Sequence, residues 1–450
     1  MRQSVLLVFS CAVVLMAVCF HNGYPIVTSD SGFYIGSGFE FQLFNNDRPP
    51  FYGSFIRHVS LWSTLWLPVF VQSLVIAFLM IRFIRLLRYP EALSPNQVLL
   101  SLLVVAAFTP ASWIVGQLMP DIFAAALLLS VLLFYYDNVG STIKISYFII
   151  IVGSVSFHNS HFLIFIVFTT VLLAVAIINR EKIYLRKALV LFGLAMTCFV
   201  SYAGLYYLNG YGFTLSKGSH VFLMGKLAET GVLKKYLDQN CQYEHYKLCE
   251  YKDELPAYAW EFIWADDGAF KKTGGWDSSK QEYDGIIKDV FTNPSYATLF
   301  LQKSVISTFR QVTQIQVPNE WLQLRQGSSP ARLIERYFEH ESGEYLTSLQ
   351  NTGQLSGELS NRIYFIFFIC STIFIVGFRK DVFTRSTTYR IYLLVIAYLF
   401  INAFITATFA NVLDRLQNRV SWVLVATNAI LIVKYFSRNS RWGTGHRDNM

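Results

Sequence analysis

Charged residues whose types suit phosphate chemistry stand in the first polar loop of the chain. Asp30 lies between two serines soon after an apolar N-terminal stretch, and Asp47 and Arg48 precede two prolines and Tyr52 later in the same loop. A carboxylate such as Asp30 can act as general base on an incoming hydroxyl. Arg48 can contact a phosphate through two parallel hydrogen bonds. Because charges near a bilayer are costly unless a partner or ligand compensates them, we first expect chemistry in this loop.

The same residues have structural explanations that the sequence leaves open. Asp30 can cap the helix that follows, as acidic and hydroxyl side chains often do. Asp47 can pair with Arg48 at the loop surface, and the prolines can simply start the next helix. The loop therefore contains candidates for catalysis, Asp30 and Asp47, and for substrate binding, Arg48 and Tyr52.

Three further candidates lie at breaks between apolar stretches. Asp121 opens one such stretch after a proline, where the helix dipole favours an acid for structural reasons, but it can also share a substrate site with Asp30. His158 and His161 flank an Asn-Ser pair, and their spacing places both on one helical face. They can bind a phosphate, position a substrate or hold a metal, whereas a tight turn stabilised by Asn and Ser is the alternative. We predict a functional role for the two histidines, because polar groups at membrane depth usually have one.

Two basic pairs complete the candidates for substrate binding. Arg415 and Arg419 stand between the last two apolar stretches, four positions apart and so on one face of any helix there. A phosphate contact explains both, and salt bridges to nearby acids are the alternative. Lys217 and His220, in a glycine-containing turn after the seventh apolar stretch, are weaker candidates. That turn is too short to be a phosphate-binding loop.

Composition places these residues in a membrane protein. Apolar residues make up 54% of the 450 and charged residues 15%, against roughly a quarter charged in soluble domains. The apolar residues form blocks near the roughly 20 residues that a membrane-spanning helix needs. The predicted spans are 4–21, 60–81, 97–115, 120–136, 145–157, 162–179, 188–208, 361–378, 391–409 and 420–436. We therefore predict an all-α polytopic membrane protein with about ten transmembrane helices.

The distribution of basic residues predicts the orientation. Arginine and lysine cluster in alternate short loops, including those around 82–88, 180–187 and 379–390. Because such loops face the cytoplasm, both termini are predicted to be cytoplasmic and the Asp30 loop to lie on the other face. The net charge of +8 is largely this bias, and no basic face with interleaved aromatics predicts a nucleic-acid partner. The N-terminal stretch lacks a small-residue cleavage site, which favours an uncleaved helix over a signal peptide.

The predicted spans divide the chain into three parts. These are an N-terminal transmembrane module at 1–208, an extracytoplasmic helical domain at 209–360 and a C-terminal transmembrane module at 361–450. Cys241 and Cys249 lie in the middle part, where an oxidising compartment favours a disulfide between them. A metal site is the alternative, although two cysteines and a histidine at this spacing match no standard zinc pattern. The polar stretch 322–360 is predicted to be a flexible or lid-like loop.

This layout resembles the GT-C class of integral-membrane glycosyltransferases. Those enzymes have an essential acid in the first outer loop, where this chain has Asp30. Many bacterial members have an Arg-Pro-Pro-like element in that loop, as this chain has from Arg48 onward. An arginine-rich element before their last helices matches Arg415 and Arg419 loosely.

The resemblance implies transfer of a sugar from a polyprenyl-phosphate donor to an acceptor at the outer face of a bacterial inner membrane. It makes Asp30 the base, and it assigns Arg48, Arg415 and the histidines to the departing lipid phosphate. The implied partners are a lipid-linked substrate and membrane lipids. No cofactor is identified, although Asp47 or Asp121 suits a divalent cation.

Departures from the GT-C pattern leave two other functions open. A single acid stands where those loops often have an acidic pair, and the histidine pair is no feature of the class. The region 217–249 is more similar to bacterial polytopic membrane proteins of uncharacterised activity. One alternative is transfer of an acyl or phospho-group with His158 or His161 as base. The other is a transporter or flippase, but the sequence shows neither the inverted repeats nor the broken helices typical of transporters.

Overall fold

The structure is a computed structural model that describes residues 2–41, 44, 47–319 and 321–444. Within these ranges every regular element is a helix, and the only strand-like pairing is a bridge between Ile26 and Gln117. The all-α class predicted from the sequence is therefore confirmed.

The described residues of the N-terminal part form eleven helices around an apolar centre. In chain order they are α1 (Arg2–Leu15), α2 (Ala17–Asn22), α3 (Ser29–Phe39), α4 (Phe51–Val59), α5 (Trp66–Arg88), α6 (Pro95–Phe108), α7 (Ala111–Val115), α8 (Ile122–Tyr136), α9 (Ser141–Ser156), α10 (Asn159–Ile178) and α11 (Lys182–Leu208). Helix α8 has no charged residue and is buried along almost its whole length. It packs against α5 and α9, so the most apolar helix forms the centre of the bundle.

The middle part forms ten shorter α-helices and two 3-10 helices. The α-helices are α12 (Ser219–Glu229), α13 (Val232–Asn240), α14 (Ala259–Trp264), α15 (Ala269–Lys272), α16 (Gly275–Ser278), α17 (Lys280–Thr292), α18 (Pro294–Val312), α19 (Ser329–Tyr337), α20 (Ser342–Thr347) and α21 (Leu349–Thr352). The 3-10 helices are Lys247–Tyr251 and Glu339–Glu341.

The C-terminal part returns to long apolar helices. They are α22 (Glu358–Gly377), the short α23 (Arg379–Val382), α24 (Ser386–Phe409) and α25 (Asp414–Thr444). Helix α25 packs against α24, α22 and α8, and it thereby joins the last part of the chain to the bundle centre.

In the part of the chain that the structure describes, six helices are long and apolar enough to cross a membrane: α5, α10, α11, α22, α24 and α25. Four shorter apolar helices fall on other predicted spans, at Ser4–Leu15, Pro95–Phe108, Ile122–Tyr136 and Ser141–Ser156. At 1.5 Å per residue these measure about 18–24 Å, less than the roughly 30 Å of a bilayer's hydrocarbon core. The fold is thus that of a helical membrane protein with six candidate spans, and ten spans stays a prediction.

Helix α5 differs at both ends from its predicted span of 60–81. It begins only at Trp66, because a turn with two residues of positive φ precedes it. It then continues to Arg88, past the basic residues that were expected to lie in a loop. Arg82 remains within the fold because its Nη2 donates to Asp137 at 2.7 Å.

The middle part of the chain packs as two regions. Helices α12 to α18 enclose an apolar core of their own, against which the disulfide between Cys241 and Cys249 packs, and α18 lies along α24. Helices α19 to α21 instead pack against α2 and α3. There the buried Glu341 accepts a hydrogen bond from Tyr24 at 2.6 Å. The expected flexible loop at 322–360 is therefore largely helical and docked on the first module.

Candidate functional site

Asp30 lies in the first turn of α3, at the end of the bundle where α10 and α25 begin. Thr28 precedes the helix and exchanges hydrogen bonds with Ser31 in a capping box. Ser31 also donates to the carbonyl oxygen of Leu118 at 3.0 Å, which ties this helix end to the segment before α8. The helix dipole favours an acid in the first turn, so the local sequence explains where Asp30 lies but not its partners.

Two arginines hold Asp30, one on each carboxylate oxygen. Arg48 donates to Oδ1 at 2.7 Å, and Arg415 donates to Oδ2 at 2.8 Å. Burial opposes ionisation of Asp30, but the charges of Arg415 and Arg48 outweigh burial and lower the pKa of this carboxyl. Asp30 is thus an anion with both oxygens engaged, which makes it a weak base in this state.

Asp121 lies beside these pairs, immediately before α8. Arg419 donates to its Oδ1 at 3.3 Å, and Nε of Arg415 lies 3.7 Å from Oδ2. The side chains of Asp121 and Arg419 are 2% and 0% exposed, so this pair is removed from water. Oδ2 makes no hydrogen bond with any residue that the structure describes. Arg415 therefore bridges two carboxylates, while one buried oxygen of Asp121 lacks a hydrogen-bond donor.

Asp47 is the third acid at this end of the bundle. Its Oδ2 lies 3.3 Å from Nη1 of Arg48, and Asn159 donates to its carbonyl oxygen at 3.0 Å. Burial raises the pKa of Asp47, and the charge of Asp30 adds to this effect although Arg48 opposes it. The guanidinium of Arg48 also lies over the ring of Phe33, 5.1 Å from its centroid. Arg48 is thus held by two acids and an aromatic face.

Six residues form what we call the ion-pair cluster: Asp30, Arg48, Asp47, Asp121, Arg415 and Arg419. They come from the first loop, the start of α8 and the start of α25, and their formal charges cancel. The planar fork of a guanidinium fits a carboxylate and a phosphate equally well. A phosphate ligand would therefore bind here by exchanging partners with the acids rather than by neutralising a surplus charge.

A chain of hydrogen bonds runs from the cluster to His158. Arg419 Nη2 donates to Ser160 Oγ at 3.1 Å, and the backbone N–H of Ser160 donates to His158 Nδ1 at 3.2 Å. Because Nδ1 accepts, the neutral ring carries its proton on Nε2. Burial, and after it the charges of three cluster arginines, lowers the pKa of His158. His158 is thus a neutral hydrogen-bond donor in this arrangement, and its use as a base stays a prediction.

His161 has the opposite proton arrangement. Its Nδ1 lies 2.7 Å from the carbonyl oxygen of Ser154, which can only accept, so Nδ1 carries the proton. Nε2 then has a free lone pair, buried and without a hydrogen-bond partner among the described residues. The two histidine rings are 5.2 Å apart between centroids. The pair therefore places a donor and an acceptor side by side.

Of the uncharged residues Tyr52 and Asn402, Asn402 contacts the cluster, whereas the hydrogen bond of Tyr52 goes to Gln72. Tyr52, predicted to bind substrate, is fully buried and donates to Gln72 at 3.1 Å, so its observed contacts are structural. Asn402 was missed by the sequence analysis, although its side-chain oxygen accepts from Arg419 Nη2 at 2.9 Å. The signal that identifies it is a lone amide inside an otherwise apolar span.

Lys217 and His220 do not join the ion-pair cluster. They line a separate cavity beside the start of α12, which includes none of the six cluster residues. In the parts of the chain that the structure describes, no group of three or more His, Cys, Asp and Glu side chains is arranged to hold a metal ion. The cation suggested for Asp47 or Asp121 thus stays a prediction.

Comparisons with protein-family models, curated proteins and solved structures found no match for this chain. The function has to be inferred from the site itself, from its charges, its hydrogen bonds and its position in the bundle.

Proposed function

We propose that this chain is a membrane-embedded glycosyltransferase of the GT-C type, which moves a sugar from a polyprenyl-phosphate donor to an acceptor. The observation that supports this function is the ion-pair cluster at one end of the apolar helices. A lipid-linked phosphate has an apolar tail and a charged head, so it lies where hydrocarbon meets water. Arginine is the side chain best suited to hold a phosphate at that place.

The proposal includes ten membrane crossings with the cluster on the outer face. If the four shorter apolar helices also cross, all three acids of the cluster share one side of the membrane. The basic residues at the other end, such as Arg82 and Arg390, then face the cytoplasm together with both termini, as the positive-inside rule expects. In a bacterium the membrane would be the inner membrane.

Donor binding should exchange partners within the cluster. The donor phosphate takes the hydrogen bonds that Arg48 and Arg415 now give to Asp30. Losing two cationic partners raises the pKa of Asp30 toward the ordinary carboxyl range and makes it a better base. The donor therefore binds first and prepares Asp30 for the acceptor.

In the transfer step the acceptor oxygen bonds to the anomeric carbon, and the bond between that carbon and the phosphate oxygen breaks. The acceptor's proton passes to Asp30, and the leaving lipid phosphate keeps the bonding electrons. Arg48 and Arg415 stabilise the charge that develops on this phosphate, and the Nε2–H of His158 is a third donor. Asp30 thus acts as a carboxylate and His158 as a neutral ring, which are the protonation states that their neighbours favour.

The test uses the full chain in nanodiscs with a panel of polyprenyl-phosphate sugars and a membrane-envelope extract as acceptor. Wild-type protein should release polyprenyl phosphate, and Asp30→Asn should lower the rate by at least about a hundredfold. Arg415→Ala should weaken donor binding. The matched control is Asp381→Asn, which changes an exposed acid on α23 and should leave transfer unchanged. Undiminished transfer by both cluster variants would overturn the proposal.

The buried lone pair of His161 favours one second candidate, transfer of a phospho-group with this nitrogen as base or nucleophile. The two reactions leave different lipid products from the same donor. Glycosyl transfer leaves polyprenyl phosphate, whereas transfer of the sugar phosphate leaves polyprenol. Identification of the lipid product by mass spectrometry separates them. Because His161 is fully buried and Asp30 is partly exposed, glycosyl transfer is the better supported reaction.

A further inference from the structure

A polar cavity of about 220 Å³ lies between the end of α11 and the start of α12, apart from the ion-pair cluster. Three hydroxyl groups form one wall, and Oγ of Ser219 lies 2.9 Å from both Thr214 Oγ1 and Ser216 Oγ. The cavity is also lined by Lys217, Lys280 and His220. The cavity is large enough for a single small polar group.

The charges around this cavity leave one cation unmatched. Lys280 pairs with Asp284 at 2.6 Å, so these two charges compensate each other. Lys217 has no carboxylate partner in the described part of the chain, and its Nζ lies over the ring of Tyr211, 4.2 Å from the centroid. A cation held by a ring face beside a polar cavity is available to an anion.

The backbone adds a hydrogen-bond donor at the same place. Helix α12 is eleven residues long, and its N-cap is Gly218, which has no side chain to satisfy the first turn. The N–H groups of Ser219 and Val221 already donate to the carbonyl oxygens of Ser216 and Gly218, so the helix offers an anion the N–H of His220 and its dipole.

His220 supplies an independent sign of a missing ligand. Its side chain lines the cavity although the residue is only 6% exposed. Its Nε2 is buried and makes no hydrogen bond to any described residue. A buried polar atom without a partner costs free energy, and an oxyanion in the cavity would supply that partner.

We infer that this cavity binds a tetrahedral oxyanion, a phosphate or sulfate group, through Lys217, His220 and the N-terminus of α12. The site shares no residue with the ion-pair cluster, so it does not depend on the proposed transferase activity. The group can belong to a free anion or to the phosphate of a lipid headgroup.

Titration calorimetry on the full chain measures binding of inorganic phosphate and of sulfate in phosphate-free buffer. The protein is held in nanodiscs of a phosphate-free lipid, digalactosyldiacylglycerol, alone or mixed with phosphatidylglycerol. Lys217→Ala and His220→Phe should each weaken binding by about tenfold or more, since each removes a charged or buried donor. Lys303→Ala, which changes an exposed lysine on α18, is the matched control.

The two membranes distinguish the sources of the anion. Equal phosphate affinity in both assigns the site to a free anion, whereas weaker affinity with phosphatidylglycerol shows that the headgroup competes for it. Melting temperatures near that of the wild type establish that the variants are folded. The inference is overturned if neither anion binds in either membrane, or if folded Lys217→Ala and His220→Phe bind as tightly as the wild type.

Discussion

Arg415 donates to Asp30 at 2.8 Å across 385 positions of the chain. This bond joins the first loop to the first turn of the last long helix, and the same arginine lies 3.7 Å from Asp121. The candidate site therefore exists only when the two ends of the chain are packed together.

Removing the charge of Asp121 should destabilise the whole bundle. Asp121→Asn leaves Arg419, whose side chain is 0% exposed, with only neutral acceptors such as Asn402. Breaking a buried ion pair by removing one partner costs about 3–5 kcal/mol. We expect a loss of this size in the free energy of unfolding, measured by denaturant titration of the full chain in detergent.

The control for this variant is Asp266→Asn. Asp266 pairs with Lys271 on the surface and is fully exposed, so its loss should leave the free energy of unfolding nearly unchanged. Equal losses in the two variants would show that the burial of Asp121 is unimportant.

Stability at mildly acidic pH should depend on His158. Burial beside three arginines holds the pKa of His158 well below its ordinary value of 6.5. As the pH falls below that value, the unfolded chain binds a proton that the folded chain does not, so the free energy of unfolding decreases until the folded pKa is reached. One such proton contributes a slope of about 1.4 kcal/mol per pH unit.

The measurement compares unfolding of the wild type and of His158→Asn at several pH values. The free energy of unfolding of the variant should depend less steeply on pH, by the contribution of one proton. The contribution of His220, whose pKa is also lowered mainly by burial, should remain in both proteins. An identical slope in both proteins would mean that His158 is protonated in the folded state.

Much of the site could be predicted from the sequence, because alternation of apolar stretches places their breaks on two faces. That reasoning puts Asp30, Asp121, His158 and Arg415 on one face, and the structure brings them together. It does not predict that Arg415 bridges two acids, since such a pairing depends on how helices from distant parts of the chain pack. Local composition also predicted a flexible loop where the structure has helices around Glu341. That segment is ordered by contacts with the N-terminal part of the chain, which composition does not reveal.

Replacing Arg415 with lysine tests whether the fork geometry matters or only the charge. Lysine keeps the cation but presents one ammonium group, which cannot match two carboxylates or a phosphate in the same way. If the proposed transfer takes place, Arg415→Lys should raise KM for the donor by about tenfold or more and should behave more like Arg415→Ala than like the wild type. Arg310→Lys, at an exposed position on α18, is the control. If Arg415→Lys keeps full activity, only the positive charge of Arg415 matters and the geometry of its guanidinium does not.

The geometry of the first loop should depend on close contact between α3 and α4 at two glycines. A Cβ atom added at Gly38 would overlap the carbonyl group of Gly53, so an alanine there has to push α4 away. Overpacking of this kind costs about 1–3 kcal/mol. Because Asp30 lies on α3 and Arg48 just before α4, the same shift should lengthen the ion pair between them and lower transfer. Gly140→Ala is the matched control, since nothing lies within 4 Å of its added Cβ. If Gly38→Ala unfolds and transfers like Gly140→Ala, the close approach of the two helices does not position the site.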